Sequence, residues 1–132
     1  MLGATIQPLG LDSTLGDLPN HDFSVDLSTP TRTVDRTLDE RADVPGVLVL
    51  QDGELRGLIS RRRCFEQLSK PFGLEVYLDR PIKLMVDDEP AAPLVLDASE
   101  RIETAGAQIF ARAMDQIYEP VVVRYDDGRM RL

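Results

Sequence analysis

The sequence predicts an α/β fold built as a tandem of two similar units, each with the order strand–helix–strand–strand–helix, related by pseudo-two-fold symmetry. The main observation is a repeat: residues 45–55 (PGVLVLQDGEL) return 75 positions later as residues 120–130 (PVVVRYDDGRM). The proline, the Asp-Gly pair and the next apolar residue keep register between the two copies. In addition, an amphipathic helix pattern precedes each copy, and a short apolar strand pattern precedes each helix. Two stacked halves of this kind usually bind ligands in the cleft between them.

The composition is that of an ordinary globular protein with one compact domain or two packed subdomains. Of the 132 residues, 42% are hydrophobic and 29% are charged, which argues against a disordered chain. Fifteen basic and 23 acidic side chains give a net charge of −8, the wrong sign for a general nucleic-acid binder. No apolar run approaches the roughly 20 residues that span a bilayer. The single cysteine, Cys64, leaves no intrachain disulfide and fits a reducing cytoplasm.

Residues 1–20 are rich in glycine and proline, and we expect them to form an irregular lead-in. The first unit is expected over residues 21–72. It opens with an alternating strand at residues 23–27 and continues with a helix that begins near Pro30, because proline is tolerated in a first helical turn. The inner face of this helix is predicted to consist of Val34, Leu38 and Ala42.

A β-hairpin and a second helix complete the first unit. The hairpin is predicted from apolar strands at residues 47–50 and 55–59, which flank the turn residues Asp52 and Gly53. Ser60 is placed to cap the helix that follows. The apolar face of that helix is predicted to consist of Phe65, Leu68 and Phe72.

Residues 73–93 are predicted to connect the two units, and their first part fits either a strand or a helix. The second unit, over residues 94–132, opens with a strand at residues 94–96. Asp97 and Glu100 have the spacing of a capping box for the next helix. The apolar stripe of that helix is predicted to consist of Ile102, Ala105, Ile109, Phe110, Ala113 and Met114. Pro120 then starts the second copy of the hairpin.

The second unit is expected to be incomplete at its C-terminus. Leu132 corresponds to Gly57 of the first unit, so the end of the last strand and the final helix have no counterpart. We therefore expect the sequence to be a fragment of a longer protein, or a partner chain to supply what is missing.

Three short elements of this pattern resemble the CBS domain. Residues 45–49 and 120–123 are similar to the central strand of that family. The Asp-Gly pairs at residues 52–53 and 127–128 are similar to its turn, and residues 57–60 are similar to its Gly-apolar-apolar-Ser/Thr element. Taken together, the chain resembles a CBS-domain pair, also called a Bateman module.

The resemblance implies a regulatory module, not an enzyme. Pairs of this family typically bind AMP, ATP, S-adenosylmethionine or other nucleotides between the two units, and they often form homodimers. They pass ligand occupancy to an attached effector such as a kinase, a transporter or a cyclase. We therefore expect a homodimer, an effector domain and a nucleotide ligand as partners.

The candidate ligand-binding residues cluster around the start of the second helix. The resemblance implies that Ser60 and an acidic residue three positions later contact the ribose hydroxyls, but Arg63 stands at the acidic position. This departure counts against ribose binding by the first unit. Residues 61–63, all arginine, lie where the helix dipole disfavours positive charge, so they either bind a phosphate or carboxylate or pair with acidic residues of this chain. The full candidate set is Ser60, Arg61, Arg62, Arg63, Pro45, Gly46 and Pro120.

The sequence offers no clear catalytic or metal-binding set. Cys64, beside the arginines, is either a thiol of lowered pKa that senses oxidation or a small core residue. His21 has no Ser, Cys or second His at useful spacing, and the acidic residues at 87–89 and 126–127 fit a linker and a turn. The leading hypothesis is a sensor of a nucleotide or other small anion. The alternative is a degenerate pair that binds no ligand and serves only dimerisation or domain positioning.

Overall fold

The computed structural model describes residues 13–88, 92–112, 116 and 119–132. The chain divides into two compact units. The first unit consists of His21–Pro93 with Leu132, and the second combines the segment up to Asn20 with Leu94–Arg131.

A three-stranded sheet of order β1-β2-β3 forms the centre of the first unit. β1 (Ser24–Val25) runs parallel to β2 (Gly46–Gln51), and β2 runs antiparallel to β3 (Glu54–Ser60). The turn between β2 and β3 has positive φ at Asp52 (53°) and Gly53 (80°), the conformation that two-residue hairpin turns favour. The predicted hairpin is confirmed.

Four helices pack with this sheet: α1 (Thr31–Glu40), α2 (Arg61–Ser69), α3 (Gly73–Tyr77) and α4 (Lys83–Asp87). The start of the predicted connecting segment, which fitted a strand or a helix, is therefore helical. α3 and α4 also contribute to the core of the first unit, because Tyr77, Ile82 and Met85 are buried there. The other buried members of this core are Phe23, Val34, Leu38, Val44, Val47, Val49, Ile59 and Cys64.

The predicted inner faces of α1 and α2 were each partly wrong. α1 ends at Glu40, so Ala42 lies beyond the helix and is exposed, and Val44 is buried in its place. In α2, Phe65 is 72% exposed, whereas Cys64 and Gln67 are buried. The cap at Ser60 fixes where α2 starts, and this start directs Cys64 and Gln67 inward. Phe72 lies beyond the end of α2 and is exposed as well.

The second unit repeats the order strand, helix, strand, strand. β4 (Val95–Asp97) runs parallel to β5 (Val122–Arg124), which runs antiparallel to β6 (Met130–Arg131), and α5 (Ile102–Phe110) lies between β4 and β5 in the chain. Leu15, Leu96, Ala105 and Val123 form its buried core.

Two predictions for α5 are corrected. Its N-cap is Arg101 without a side-chain hydrogen bond, so Asp97 and Glu100 do not form the predicted capping box. Instead, β4 ends at Asp97 and a turn separates it from α5. Phe110, predicted to be inward, is exposed, whereas the prediction of an inward Ala105 is confirmed. Ala113 and Met114 lie outside the described residues.

Part of the predicted lead-in belongs to the core of the second unit. Residues 15–17 form a short 3₁₀ helix, and Leu15 is buried between α5 and the second sheet. The Leu15 N–H donates to the Glu100 carbonyl (2.9 Å), and the Gly16 N–H donates to the Ala98 carbonyl (2.9 Å). The chain therefore begins its described course in the second unit before it forms the first.

Candidate functional site

The candidate residues of the first unit meet where β2 begins and β3 ends. Gly46 pairs with Ser60 across the antiparallel ladder, and the Arg61 N–H donates to the Pro45 carbonyl (2.8 Å). A Cβ atom at Gly46 would lie 2.6 Å from the Ile59 carbonyl oxygen. Only glycine allows this close approach of the two strands. The hairpin thus places four of the candidate ligand-binding residues close together: Pro45, Gly46, Ser60 and Arg61.

Ser60 caps α2, as predicted. Its Oγ accepts a hydrogen bond from the Arg63 N–H (3.0 Å), which satisfies one of the otherwise unpaired donors of the first helical turn. Only 4% of Ser60 is exposed. In this arrangement the side chain serves the helix start, and little of its surface is available to a ligand.

The Arg61 guanidinium takes a partner that neither alternative for the arginines anticipated. It donates to the carbonyl oxygens of Leu38 (2.7 Å), Arg41 (2.6 Å) and Val44 (2.8 and 3.0 Å). Leu38 lies in the last turn of α1, Arg41 is its C-cap and Val44 follows in the connection to β2. Carbonyls at a helix C-terminus lack internal partners, and a cation there interacts favourably with the helix dipole. Arg61 therefore stabilises the α1 C-terminus and its connection to β2.

Arg62 and Arg63 differ from Arg61 in their surroundings. Arg62 is exposed and lies 3.7 Å from the Glu66 carboxylate, one turn further along α2. Such exposed pairs contribute little to stability. The Arg63 guanidinium donates to the Asp88 carbonyl (3.3 Å), after α4. Arg62 thus matches the alternative of pairing with an acidic residue of this chain, and Arg63 links α2 to the end of α4.

Pro120 lies in the second unit, just before β5. Its carbonyl accepts a hydrogen bond from Arg112 (3.4 Å). The Arg112 guanidinium also donates to the carbonyls of Gln116 (3.0 Å) and Glu119 (2.7 Å), and burial lowers its pKa from the ordinary arginine value. Arg112 supports the approach to β5 as Arg61 supports the approach to β2. Sequence reasoning missed this residue, because nothing in the repeat aligns it with Arg61.

Cys64 is a core residue. Its side chain is 2% exposed. Burial raises the pKa of the thiol to about 11, with a further contribution from the Asp35 and Asp39 carboxylates that outweighs the opposing effect of Arg61. A thiolate is therefore disfavoured, which contradicts a redox sensor of lowered pKa and agrees with the alternative of a buried small residue.

His21 lies beside Asp43 and Leu132. Its Nδ1 lies 3.7 Å from the Asp43 carboxylate, and its backbone exchanges hydrogen bonds with Leu132 (2.9 and 3.1 Å). Among the described residues, no group of three or more His, Cys, Asp or Glu side chains could hold a metal ion. Within the same part of the chain, every helix is too short or too polar to cross a membrane.

A surface groove of about 640 Å³ lies between α1 and α2. The sequence did not predict this groove, because the groove depends on how α2 and α3 pack. That packing leaves Phe65 and Leu74 exposed. The side chains that line the groove are Asp35, Leu38, Asp39, Arg61, Arg62, Cys64, Phe65, Leu68, Ser69 and Leu74.

Several solved structures resemble this chain. CBSX2 in complex with AMP superposes over 90% of this chain and 87% of its own length, with a TM-score of 0.61 and 23% identity. A CBS domain-containing protein of unknown function from Bacillus anthracis str. Ames Ancestor gives a TM-score of 0.65 at 14% identity, over 89% and 83% of the two chains. The cytosolic domain of the Mg²⁺ channel MgtE in complex with ATP gives 0.62 at 17% identity, over 90% of this chain and 44% of the other. No family model and no curated protein matches the sequence.

Proposed function

We propose that this chain, which has the α/β fold of a CBS-domain pair, is a non-catalytic regulatory module that binds an adenosine nucleotide or another small anion. The observation that carries the proposal is the fold shared with two proteins whose structures hold AMP and ATP. The module would pass ligand occupancy to an attached effector domain by shifting the population of its conformations. The position of the ligand between the two units, the effector and a cytoplasmic location remain predictions.

The basic start of α2 supports an anionic ligand. Arg62 is exposed and Arg63 is half-buried, and both lie in the first turn of a helix in a chain of net charge −8. An anion at a helix N-terminus is stabilised by the dipole and by guanidinium groups that donate to phosphate oxygens. Pro45, Gly46 and Ser60 form the adjoining backbone, and Pro120 is the corresponding candidate in the second unit.

The observations at Ser60 and Arg61 favour the second candidate function, a degenerate pair that binds no ligand. Ser60 is buried and serves as the α2 cap. The Arg61 guanidinium donates four hydrogen bonds to backbone carbonyls, and Arg63 replaces the expected acidic residue. In that case the chain would serve only dimerisation or domain positioning.

A thermal-unfolding panel with AMP, ATP, S-adenosylmethionine and cyclic dinucleotides separates the two candidates. A ligand at 100 times its Kd is expected to raise the free energy of unfolding by about 2.7 kcal/mol. Arg62→Glu and Arg63→Glu should each reduce the rise in melting temperature that the ligand causes, because each variant places a negative charge near the proposed anionic ligand. The matched control is Arg56→Glu, a charge reversal on the exposed part of β3 that should keep this rise. A chain that responds to none of these ligands would support the degenerate pair.

A further inference from the structure

We propose that Arg63 and Tyr77 form a latch on the C-terminal end of α4, and that an anion bound at the start of α2 opens this latch by drawing the Arg63 guanidinium away from Asp88. The inference rests on the proposed function, from which it takes the anion. It adds the route by which ligand occupancy leaves the first unit, to which all residues of the latch belong.

Asp88, the C-cap of α4, is held at two different groups. Its carboxylate accepts a hydrogen bond from the Tyr77 hydroxyl (2.7 Å), and its backbone carbonyl accepts one from the Arg63 guanidinium (3.3 Å). The hydrogen bond to Asp88, together with burial, raises the pKa of Tyr77, so this hydroxyl keeps its proton and remains a donor. One residue of α3 and one residue of α2 therefore fix the end of α4.

The charge at the end of α4 makes these partners necessary. Asp87 and Asp88 place two carboxylates beside carbonyl groups that a helix end leaves unpaired, where negative charge is unfavourable. Lys83 compensates Asp87 from within the helix, since its Nζ lies 2.6 Å from the Asp87 Oδ2. At Asp88 a cation comes from α2, because the Arg63 guanidinium donates to the backbone carbonyl of this residue. The charge balance at the end of α4 thus depends on where the Arg63 side chain lies.

Arg63 takes part both in the start of α2 and in the latch. Its backbone N–H donates to the Ser60 Oγ (3.0 Å) in the first turn of α2, and its half-buried side chain reaches across to Asp88. A phosphate group offers a guanidinium two charged acceptors, whereas the Asp88 carbonyl offers a single neutral one. An anion at this helix start is therefore the stronger acceptor for Arg63, and its binding leaves Asp88 without that cation.

The position of α4 in the chain suits it to transmit this change. α4 packs on β3 through Val86, and a Cβ atom at Gly57 would lie only 2.9 Å from the Val86 Cγ1. The second unit resumes at Leu94, six positions after Asp88. Opening of the latch thus acts on the segment that directly precedes the connection to the second unit.

The first test measures amide hydrogen exchange in α4 of the full chain without ligand. The reporters are Val86 and Asp88, whose N–H groups donate to carbonyls one turn earlier. Arg63→Gln and Tyr77→Phe should each accelerate exchange at both reporters about tenfold relative to amides of β2, because each variant removes a hydrogen bond to Asp88. The control Arg56→Gln, on the exposed part of β3, should change neither rate. Wild-type rates in both latch variants, or an equal acceleration in β2, would overturn the latch.

The second test adds ATP or inorganic pyrophosphate as the anion and scores binding by the rise in melting temperature. In the wild-type chain, binding should accelerate exchange at Val86 and Asp88 about tenfold, although a ligand ordinarily slows exchange by stabilising the fold. In Tyr77→Phe, where the latch is already weakened, the anion should still raise the melting temperature but accelerate exchange less.

The two readouts separate this inference from the proposed function. A rise in melting temperature without faster exchange at Val86 and Asp88 would overturn the opening of the latch and leave the proposed function intact. Should neither these anions nor the other ligands of the panel raise the melting temperature, the proposed function fails, and the opening of the latch by an anion fails with it.

Discussion

At the scale of single residues, three consecutive arginines have three different roles. Arg61 binds carbonyls at the C-terminal end of α1, Arg62 is exposed beside Glu66, and Arg63 donates to the Asp88 carbonyl. The sequence shows the same side chain three times in the first turn of a helix. Their different orientations around α2 decide which of them faces α1, which faces solvent and which faces α4.

Replacement of Arg61 by alanine should destabilise the fold by about 2–3 kcal/mol, because the carbonyls of Leu38, Arg41 and Val44 lose charged hydrogen-bond donors. Urea unfolding monitored by circular dichroism measures the change. Arg56→Ala, an exposed arginine of β3, is the matched control and should change the free energy of unfolding by less than about 0.5 kcal/mol. Equal stabilities of the two variants would refute the capping role of Arg61.

At the scale of elements, β2 begins in close contact with the end of β3. A Cβ at Gly46 would lie 2.6 Å from the Ile59 carbonyl oxygen and 2.9 Å from Ser60 Cα. Both atoms belong to the backbone, so a side-chain rotation cannot relieve the contact. This strand pair therefore positions the Ser60 cap and the first turn of α2.

Gly46→Ala should lower the free energy of unfolding by about 1–3 kcal/mol, since the strands must separate to admit the methyl group. The contrasting variant is Gly106→Ala in α5, where an added Cβ meets no atom within 4 Å. That variant should stabilise the chain by about 0.5–1 kcal/mol, because alanine loses less backbone entropy in a helix. Denaturant unfolding of both variants measures whether the changes in the free energy of unfolding have these opposite signs. A Gly46→Ala variant as stable as the wild type would contradict the close contact at Gly46.

At the scale of the whole molecule, the chain contributes to the second unit twice. Residues 13–20 add Leu15 to the core of the second unit, the chain then builds the first unit, and it returns at Leu94. Asn20 donates a hydrogen bond to the Tyr125 hydroxyl (2.8 Å), and the next residue already belongs to the first unit. Residues 13–20, which precede both copies of the repeat, thus form part of the unit that contains the second copy.

Leu15→Ala should therefore affect β4, β5 and β6, which lie about 80 positions or more further along the chain. We expect a loss of about 2–4 kcal/mol, because a buried leucine side chain is removed. Amide hydrogen exchange should then accelerate more in β4, β5 and β6 than in β2 and β3. Val34→Ala, in the core of the first unit, should give the reverse pattern. If both variants instead accelerated exchange equally in the strands of both units, the two cores would not be separate.

The repeat predicted the fold well because its signals are local. A proline before an apolar run, an Asp-Gly turn and a serine before a helix each act on a few neighbouring residues, and β2, β3 and the Ser60 cap follow from them. The errors arose where the outcome depends on distant contacts. Phe65 and Phe110 are apolar and lie on predicted helices, yet both are exposed, since hydrophobicity alone does not state which face of a helix meets the sheet.

Local sequence signals were enough to predict the order of elements and the hairpins. They also placed Pro45, Gly46, Ser60 and Arg61 close together, because strand pairing across a short turn fixes which residues face each other. Three features depend on the packing of the folded chain: Arg61 binds carbonyls at the C-terminal end of α1, Cys64 is buried, and Leu15 joins a core formed mainly by residues far along the chain. These outcomes depend on elements remote in sequence, whose packing no local pattern encodes.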